Sequence, residues 1–350
     1  MNDQSKNILK KKSLNYPGWV LTERQSCDLE MILNGGFSPL NGFLELDDYE
    51  SVVNNLRLSD GTVWPIPITL DITSEFADSV SEGDSITLKD KEGFSLAVMR
   101  ITNIWEPDRK KESKLVFGTD DDSHPGADYL LNEGNSVYVG GPVEGIDLPH
   151  HYDYQTLRHT PDMLKKKFQE LGWDKVVAFQ TRNPLHRAHV EMTLSAIKEL
   201  NAKLLIHPVV GMTKPGDVDH YTRVRCYKHV LDKYPDDLAM LSLLPLAMRM
   251  GGPREALWHA VIRKNYGCTH LIVGRDHAGP GNDKNGNPFY GPYDAQNIIE
   301  KYKDEIGIKM VPFKFLVYLP DQDLYKPIDE VPDGINYKTV SGSELRQQLD

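Results

Sequence analysis

The side chains best suited to chemistry lie in one polar block at residues 180–189, with the sequence QTRNPLHRAH. The block follows an apolar run, Val176–Phe179, that is typical of a buried strand, and it leads into a segment with helical periodicity. A helix N-terminus binds anions because its first N–H groups are free and its dipole is positive there. Arg182, His186 and His189 at this point predict a site that binds a phosphate-like ligand and acts on it.

Other interpretations of the block are less favoured. Two histidines at i and i+3 share a helical face and could bind zinc, but no HExxH motif occurs and the three cysteines have no CxxC spacing. No protein-bound metal is therefore predicted. The block has no glycine run, so it matches neither the GxxxxGK[ST] nor the GxGxxG phosphate loop. One of its histidines could be a core residue and Arg182 a surface cation, although packing explains a whole run of polar residues poorly.

A second polar loop, GRDHAGPG at residues 274–281, follows the apolar run His270–Val273. Its glycines would allow the backbone to approach a ligand closely, and Arg275 and His277 would supply charge-assisted donors. A Gly/Pro-rich surface turn is the alternative. The segment KPGD at residues 214–217 is interpreted as a solvated loop.

Composition limits the class of protein. A chain of 350 residues with 39% hydrophobic and 9% aromatic residues suggests two or three globular domains. A net charge of −11 argues against nucleic acid or an anionic membrane as the main partner. Three scattered cysteines fit a reducing compartment, and neither a signal-peptide pattern nor an apolar run of about 18 residues occurs. A cytoplasmic location is therefore predicted.

The pattern of elements changes near residue 150, which predicts domains at 1–152 and 153–350. The first domain is expected to be β-rich, with a strand at 66–72 and a hairpin at 86–99. In the second, apolar runs alternate with helical patterns, which predicts an α/β fold with a doubly wound, mostly parallel sheet. Ligands of such sheets bind outside the carboxyl ends of the strands, where both polar loops fall. The strands are expected at 176–179, 203–210, 240–244, 270–273 and 310–318, and the helices at 186–200, 220–234, 253–266 and 293–302.

These motifs resemble the ATP sulfurylase (sulfate adenylyltransferase) family over nearly the whole chain. The resemblance includes both polar loops, HPVVGMTKPGD at 207–217, AMRMGGPREALWHAVIRKNYG at 247–267 and LTERQSCDLEMILNGGFSPLNGFL at 21–44. It implies a Rossmann-like nucleotidylyltransferase domain preceded by a PUA-like β-rich domain. His186 and His189 resemble the HxGH-type motif of that superfamily.

The resemblance also implies a reaction, in which ATP and sulfate give adenosine 5′-phosphosulfate and pyrophosphate. Mg²⁺ would arrive with ATP, and a homo-oligomer is expected. By the family pattern, Gln180 and Arg182 would hold sulfate with help from the Ala278 backbone. Thr181 and Asn183 would contact the reacting phosphate or pyrophosphate, so Thr181, Arg182 and Asn183 are the expected catalytic residues. ATP would be bound by Gln180, Thr181, Arg182, Asn183, His186, His189, Gly274, Arg275, Asp276, His277 and the backbone of Leu316.

The C-terminal sequence departs from the family pattern. SGSELR at 341–346 resembles the family's SGTELR segment, but the chain stops at Asp350 without the usual IPEWF-like tail or a kinase domain. A bifunctional enzyme is therefore not expected. Another adenylyl transferase with a different acceptor and an inactive homologue remain alternatives, and the sequence does not set the direction of the reaction.

Overall fold

The first part of the chain is built around a seven-stranded sheet. The computed structural model describes residues 3–313, 316–332 and 334–339, so the SGSELR segment lies outside it. The strands are β1 (Gly18–Val20), β2 (Gly42–Phe43), β3 (Leu70–Ile72), β4 (Ser85–Lys89), β5 (Ser95–Arg100), β6 (Asn103–Trp105) and β7 (Val137–Gly145). They run in the order β1-β4-β5-β7-β2, and β3 and β6 also pair with β7. The helices are α1 (Asp3–Ser13), α2 (Glu23–Leu33), α3 (Leu46–Asn55), α4 (Ser74–Ala77), α5 (Arg109–Val116) and α6 (Pro125–Asp128).

Two predictions for this part have different outcomes. The hairpin is confirmed, because β4 and β5 pair antiparallel. The strand predicted over 66–72 is only partly present, since β3 covers Leu70–Ile72 alone. Pro65 and Pro67 have no N–H to donate to a neighbouring strand, which explains why the ladder does not extend further back.

The second part contains a five-stranded parallel sheet. The strands are β8 (Val176–Phe179), β9 (Lys203–Ile206), β10 (Ala239–Leu241), β11 (His270–Val273) and β12 (Lys309–Pro312), and the helices are α7 (Pro161–Glu170), α8 (Arg187–Leu200), α9 (His220–Leu231), α10 (Gly252–Asn265) and α11 (Asp294–Ile306). The strand order is β10-β9-β8-β11-β12, so the chain moves outward from β8 in one direction and then returns to place β11 on its other side. The topological switch point therefore lies at the carboxyl ends of the neighbouring strands β8 and β11. The predicted doubly wound α/β fold is confirmed.

The single strand predicted over 310–318 is wrong. β12 ends at Pro312, where the missing N–H interrupts strand pairing. The next strand, β13 (Leu316–Leu319), belongs to a separate antiparallel sheet with β14 (Leu324–Pro327) and β15 (Lys338–Thr339).

One hydrophobic core continues across both parts of the chain. The Phe37 ring lies 5.7 Å from that of Trp64 and 5.1 Å from that of Trp258 on α10. Arg249 donates a hydrogen bond to Asp28 on α2, and both side chains are buried. Within the described ranges, no helix is long and apolar enough to cross a membrane.

Candidate active site

The two polar loops meet in one cleft of about 210 Å³. They follow β8 and β11, which are hydrogen-bonded neighbours, so both loops leave the same edge of the sheet. The cleft brings together most of the site residues predicted from the sequence. These are Gln180, Thr181, Arg182, Asn183, His189, Gly274, Arg275, Asp276, His277 and Ala278.

Two predicted residues stand apart from that group. His186 is the residue before α8 and is not among the described residues that line the cleft. Leu316 is the first residue of β13, where its backbone pairs with that of Pro327. The contact expected between the Leu316 backbone and adenine stays a prediction.

Thr181 and Asn183 hold the first loop in its shape. The Thr181 hydroxyl donates to the Asn183 carbonyl at 2.9 Å and accepts the Asn183 N–H at 3.0 Å. The same carbonyl accepts a hydrogen bond from the Tyr227 hydroxyl at 2.9 Å. The Thr181 hydroxyl is thus used within the turn, and its side chain is buried.

Arg182 is paired with Asp217, a residue that the sequence did not suggest. Its Nη1 donates to both carboxylate oxygens, and the Asp217 side chain is only 1% exposed. The nearby Lys214 Nζ donates to the Pro280 carbonyl at 3.0 Å, which ties this loop to the second polar loop. Pro215 and Gly216 are exposed, as expected of a solvated loop, but the side chains of Lys214 and Asp217 bond to the two polar loops. The role of this loop could have been suspected from its position after β9, at the same edge of the sheet as the other two loops.

His186 and His189 form a neutral pair. The backbone N–H of His186 donates to the ring Nδ1 of His189 at 3.4 Å, and the centroids of the two rings are 3.9 Å apart. Burial, with His186 nearby, lowers the pKa of His189 to about 3, and burial also lowers the pKa of His186. Since Nδ1 of neutral His189 accepts a hydrogen bond, its proton is on Nε2. His189 is therefore an uncharged donor at neutral pH.

The second loop is a tight turn with two residues in the left-handed region. Asp276 has φ +49° and Ala278 has φ +59°. The Gly279 N–H donates to the Asp276 carbonyl at 3.1 Å, and a Cβ on Gly279 would lie 2.0 Å from Asp276 Oδ1. Glycine at that position lets the Asp276 side chain fold back over the turn. The Arg275 guanidinium lies 5.6 Å from the ring centroid of Tyr293.

His277 does not supply the charged donor expected from the sequence. Its Nε2 lies 3.2 Å from Nδ1 of His259 on α10. Burial, followed by the neighbouring His259 and Arg263, holds the pKa of His277 well below its usual value. The ring is therefore neutral, which leaves Arg275 as the cation of this loop.

Sequence reasoning also missed two residues of α10, Glu255 and His259. Both are 0% exposed, and His259 Nε2 lies 3.3 Å from Glu255 Oε1. The Gln180 amide lies 3.5 Å from the same imidazole nitrogen. The available signal was a pair of polar residues at i and i+4 within a segment, residues 255–263, that is buried throughout.

The described part of the chain contains no group of three or more His, Cys, Asp or Glu residues that could hold a metal ion. The cleft instead offers two arginines, neutral histidines and amides, and His189 places it near the start of α8. These groups donate hydrogen bonds, and such a set suits anionic oxygens.

Comparison with known protein families divides the chain into two matches. Residues 155–350 match the ATP-sulfurylase family, and residues 1–148 match the PUA-like domain family.

Individual proteins support the same assignment. The chain is 54% identical over 346 residues to a sulfate adenylyltransferase of Eremothecium gossypii, covering 99% of this chain and 69% of that protein. It is 54% identical over 343 residues to one of Schizosaccharomyces pombe, covering 97% of this chain and 70% of that one. It is 55% identical over 344 residues to one of Aspergillus fumigatus, covering 97% and 60%. The chain thus spans between 60% and 70% of the length of these relatives.

A solved structure titled "Hexameric APS kinase from Thiobacillus denitrificans" has a similar fold. Its TM-score is 0.81 at 29% sequence identity, and the match covers 99% of this chain and 61% of that chain. The arrangement of both parts of this chain therefore occurs in a solved structure.

Proposed function

Because this chain belongs to the ATP-sulfurylase family, we propose that it is a sulfate adenylyltransferase, which converts ATP and sulfate into adenosine 5′-phosphosulfate and pyrophosphate. A sulfate oxygen forms a bond to the α-phosphorus of ATP. The bond from that phosphorus to the bridging oxygen breaks, and pyrophosphate leaves with the electron pair. Sulfate is already ionised, so the reaction requires no general base. The enzyme has to hold two polyanions in line and to stabilise the charge that develops on the phosphorus oxygens.

The observation that carries this proposal is the meeting of the two polar loops at the switch point between β8 and β11. Both loops present hydrogen-bond donors to the same cleft. A transfer between two anions needs donors on two sides of the reacting phosphorus, and loops from neighbouring strands supply them.

Sulfate is assigned to Gln180 and Arg182, with the backbone of Ala278 opposite. Both side chains and Ala278 line the cleft. Since Arg182 is paired with Asp217, sulfate must either displace that carboxylate or share the guanidinium with it. A bidentate guanidinium suits a tetrahedral oxyanion better than a point charge does.

The nucleotide is assigned to the remaining residues of the two loops. Thr181 and Asn183 contact the reacting phosphate or pyrophosphate, while His186 and His189 bind ATP phosphates at the start of α8. Gly274 to His277 bind the nucleotide, and the backbone of Leu316 contacts adenine. Of these residues, His189 can donate its Nε2–H to a phosphate oxygen, since its Nδ1 already accepts the backbone N–H of His186.

Further features follow from the same proposal. Mg²⁺ enters as part of the MgATP substrate, because its preferred partners are phosphate oxygens and water. The protein acts in the cytoplasm and as a homo-oligomer, and its domains are residues 1–152 and 153–350. The three cysteines are free thiols, which suits a reducing compartment.

The reverse reaction gives the cleanest test. Purified protein supplied with adenosine 5′-phosphosulfate, pyrophosphate and Mg²⁺ should form ATP, detected by luciferase luminescence. The proposal predicts ATP only when both substrates are present. No ATP formation by folded protein would contradict the assigned reaction.

A further inference from the structure

Three arginines are buried in the part of the chain that the structure describes, and two of them are well bonded. Arg249 pairs with a carboxylate, and Arg223 donates to two backbone carbonyls. Arg263 on α10 is 0% exposed, yet it has a single hydrogen bond, from Nη2 to the His207 carbonyl at 3.1 Å. Its Nε and Nη1 are buried and have no partner among the described residues.

Arg263 is charged in spite of its burial. Burial lowers its pKa to about 10, so the guanidinium stays positive at neutral pH. Among the described residues, the carboxylate that acts on it is Glu255, which instead accepts the backbone N–H groups of Arg249 and Gly251 at 2.9 and 2.8 Å. A buried charge without a bonded partner lowers stability, and an apolar side chain of similar length would avoid that cost. Side chains kept at such a cost are expected at functional sites.

The guanidinium lies below the floor of the cleft. His207, whose carbonyl it contacts, directly follows β9, and the His207 N–H donates to the Phe179 carbonyl at 2.9 Å. Phe179 ends β8 and lines the cleft together with Gln180. One residue, His207, therefore lies between the Arg263 guanidinium and the backbone that forms the lining.

The positive charge of Arg263 is not repeated by the imidazoles around it. Its electrostatic effect reaches His207, His259 and His277. Burial is the main cause that lowers the pKa of each ring, and the charge of Arg263 lowers it further, so all three rings are neutral at pH 7. The protein interior screens a charge less than water does, so the field of Arg263 extends into the cleft.

We propose that Arg263 is a positioning residue whose buried charge makes the sulfate end of the cleft prefer doubly charged anions, without touching them. Coulomb energy is proportional to the charge of the ligand, so the guanidinium stabilises a dianion about twice as strongly as a monoanion. Arg182 forms a neutral pair with Asp217, whereas Arg263 has no such bonded carboxylate among the described residues. The inference rests on the sulfate role of Gln180 and Arg182 in the proposed function.

Two tetrahedral anions of different charge test it, sulfate and the monoanion perchlorate. Their binding is measured by calorimetry with Mg²⁺ and α,β-methylene ATP, which fills the nucleotide side but cannot transfer its adenylyl group. In Arg263→Met the Kd should rise about tenfold for sulfate and about threefold for perchlorate, because the lost free energy is proportional to the charge of the anion. The melting temperature without ligand should change little, since loss of the bond to His207 is offset by removal of an unpaired buried charge.

Arg254→Met is the matched control. Arg254 is a cation of the same helix, but it donates to carbonyls of Val52, Val53 and Pro65 in the first part of the chain. It is not among the described residues that line the cleft. The control removes the same charge from α10, and the ratio of the two Kd values should stay at the wild-type value.

The ratio separates an effect of charge from an effect of shape. An equal rise in both Kd values for Arg263→Met would show that Arg263 only shapes the cleft, and would overturn the proposal. Unchanged sulfate binding, or failure of this variant to fold, would overturn it too. If the wild type binds neither anion, the sulfate site of the proposed function fails and this inference fails with it. If the wild type binds both and the ratio does not change in Arg263→Met, only this inference fails.

Discussion

At the scale of single residues, Arg182 lines the cleft and is paired with Asp217, which is not among the described residues that line it. They lie 35 positions apart in the chain, yet Arg182 Nη1 bonds both oxygens of a carboxylate that is 1% exposed. A buried carboxylate requires a partner, so Asp217 and Arg182 hold each other in place.

Replacing Arg182 by lysine separates the effect of its positive charge from the effect of its planar guanidinium group. Arg182→Lys keeps a cation beside Asp217 but loses the planar fork, so we expect turnover to fall by about 100-fold or more with little change in melting temperature. Steady-state kinetics with varied sulfate would measure the loss. The alanine variant is less informative, because leaving Asp217 buried without its cation costs about 3–5 kcal/mol of stability. Near-normal turnover of the lysine variant would show that Arg182 is structural.

The histidines at the start of α8 are expected to bind phosphate rather than metal. His189 already uses Nδ1 as an acceptor for the His186 N–H, which leaves one N–H for a ligand. We expect purified protein to contain no stoichiometric zinc and to keep its activity in a zinc-selective chelator with excess Mg²⁺. His189→Ala should raise the activation barrier by about 2–4 kcal/mol. One equivalent of zinc by mass spectrometry, with inactivation on its removal, would refute this assignment.

At the scale of elements, the sequence predicted best where local patterns decide the structure. Val176–Phe179 and His270–Val273 are short apolar runs bounded by polar loops, and both strands occur with the expected limits. The Arg182–Asp217 pair could not be predicted, because nothing local links residues 35 apart. The contact between His259 and His277 could not be predicted for the same reason, since it joins a helix to a distant loop.

Strand ends were predicted less well than strands. The ends at residues 66–72 and 310–318 depend on proline positions as well as on hydrophobicity. Apolar side chains at Ile66 and Ile68 are buried without belonging to a strand, so burial alone did not reveal the secondary structure.

The loop after β11 gives a prediction at this scale. Arg275 is exposed and lies against the ring of Tyr293, so its removal should leave the fold intact. Arg275→Ala is expected to reduce both the forward reaction and pyrophosphate-driven ATP synthesis, with a melting temperature close to wild type in the absence of ligand. Calorimetry and both assays would check this. A large fall in melting temperature with turnover retained would assign Arg275 to loop structure instead.

At the scale of the whole molecule, the two parts of the chain share a core and several buried polar contacts. His124, before α6, accepts the Gly126 N–H through Nδ1 at 3.1 Å. Its Nε2 lies 2.9 Å from the hydroxyl of Tyr290 in the second part. His124 is fully buried, and burial lowers its pKa to about 4. The Tyr290 hydroxyl donates to the Phe117 carbonyl, so His124 Nε2–H donates to Tyr290 and Nδ1 stays an acceptor. A proton on Nδ1 would oppose the Gly126 N–H, so this arrangement requires the neutral ring.

Acid should therefore weaken the folded protein through His124. Its folded pKa lies below the unfolded value, so its contribution is complete above about pH 6.5 and is lost as the pH falls towards 4. Asparagine at this position can still cap α6 but does not titrate. Between pH 7.5 and 5.5, His124→Asn should lose about 1.4 kcal/mol less unfolding free energy than wild type. Urea denaturation at both pH values measures this, and equal losses in the two proteins would contradict it.

The identity of the acceptor is the central claim, and a sulfate analogue tests it most directly. Molybdate resembles sulfate in shape and charge, but its adenylyl adduct hydrolyses, so the reaction runs to completion. Purified protein with MgATP and molybdate should release AMP and pyrophosphate continuously, and sulfate should compete with molybdate. Arg182→Lys, matched for melting temperature, should lack this activity. Turnover of ATP that is independent of molybdate, or none at all by folded protein, would contradict the account.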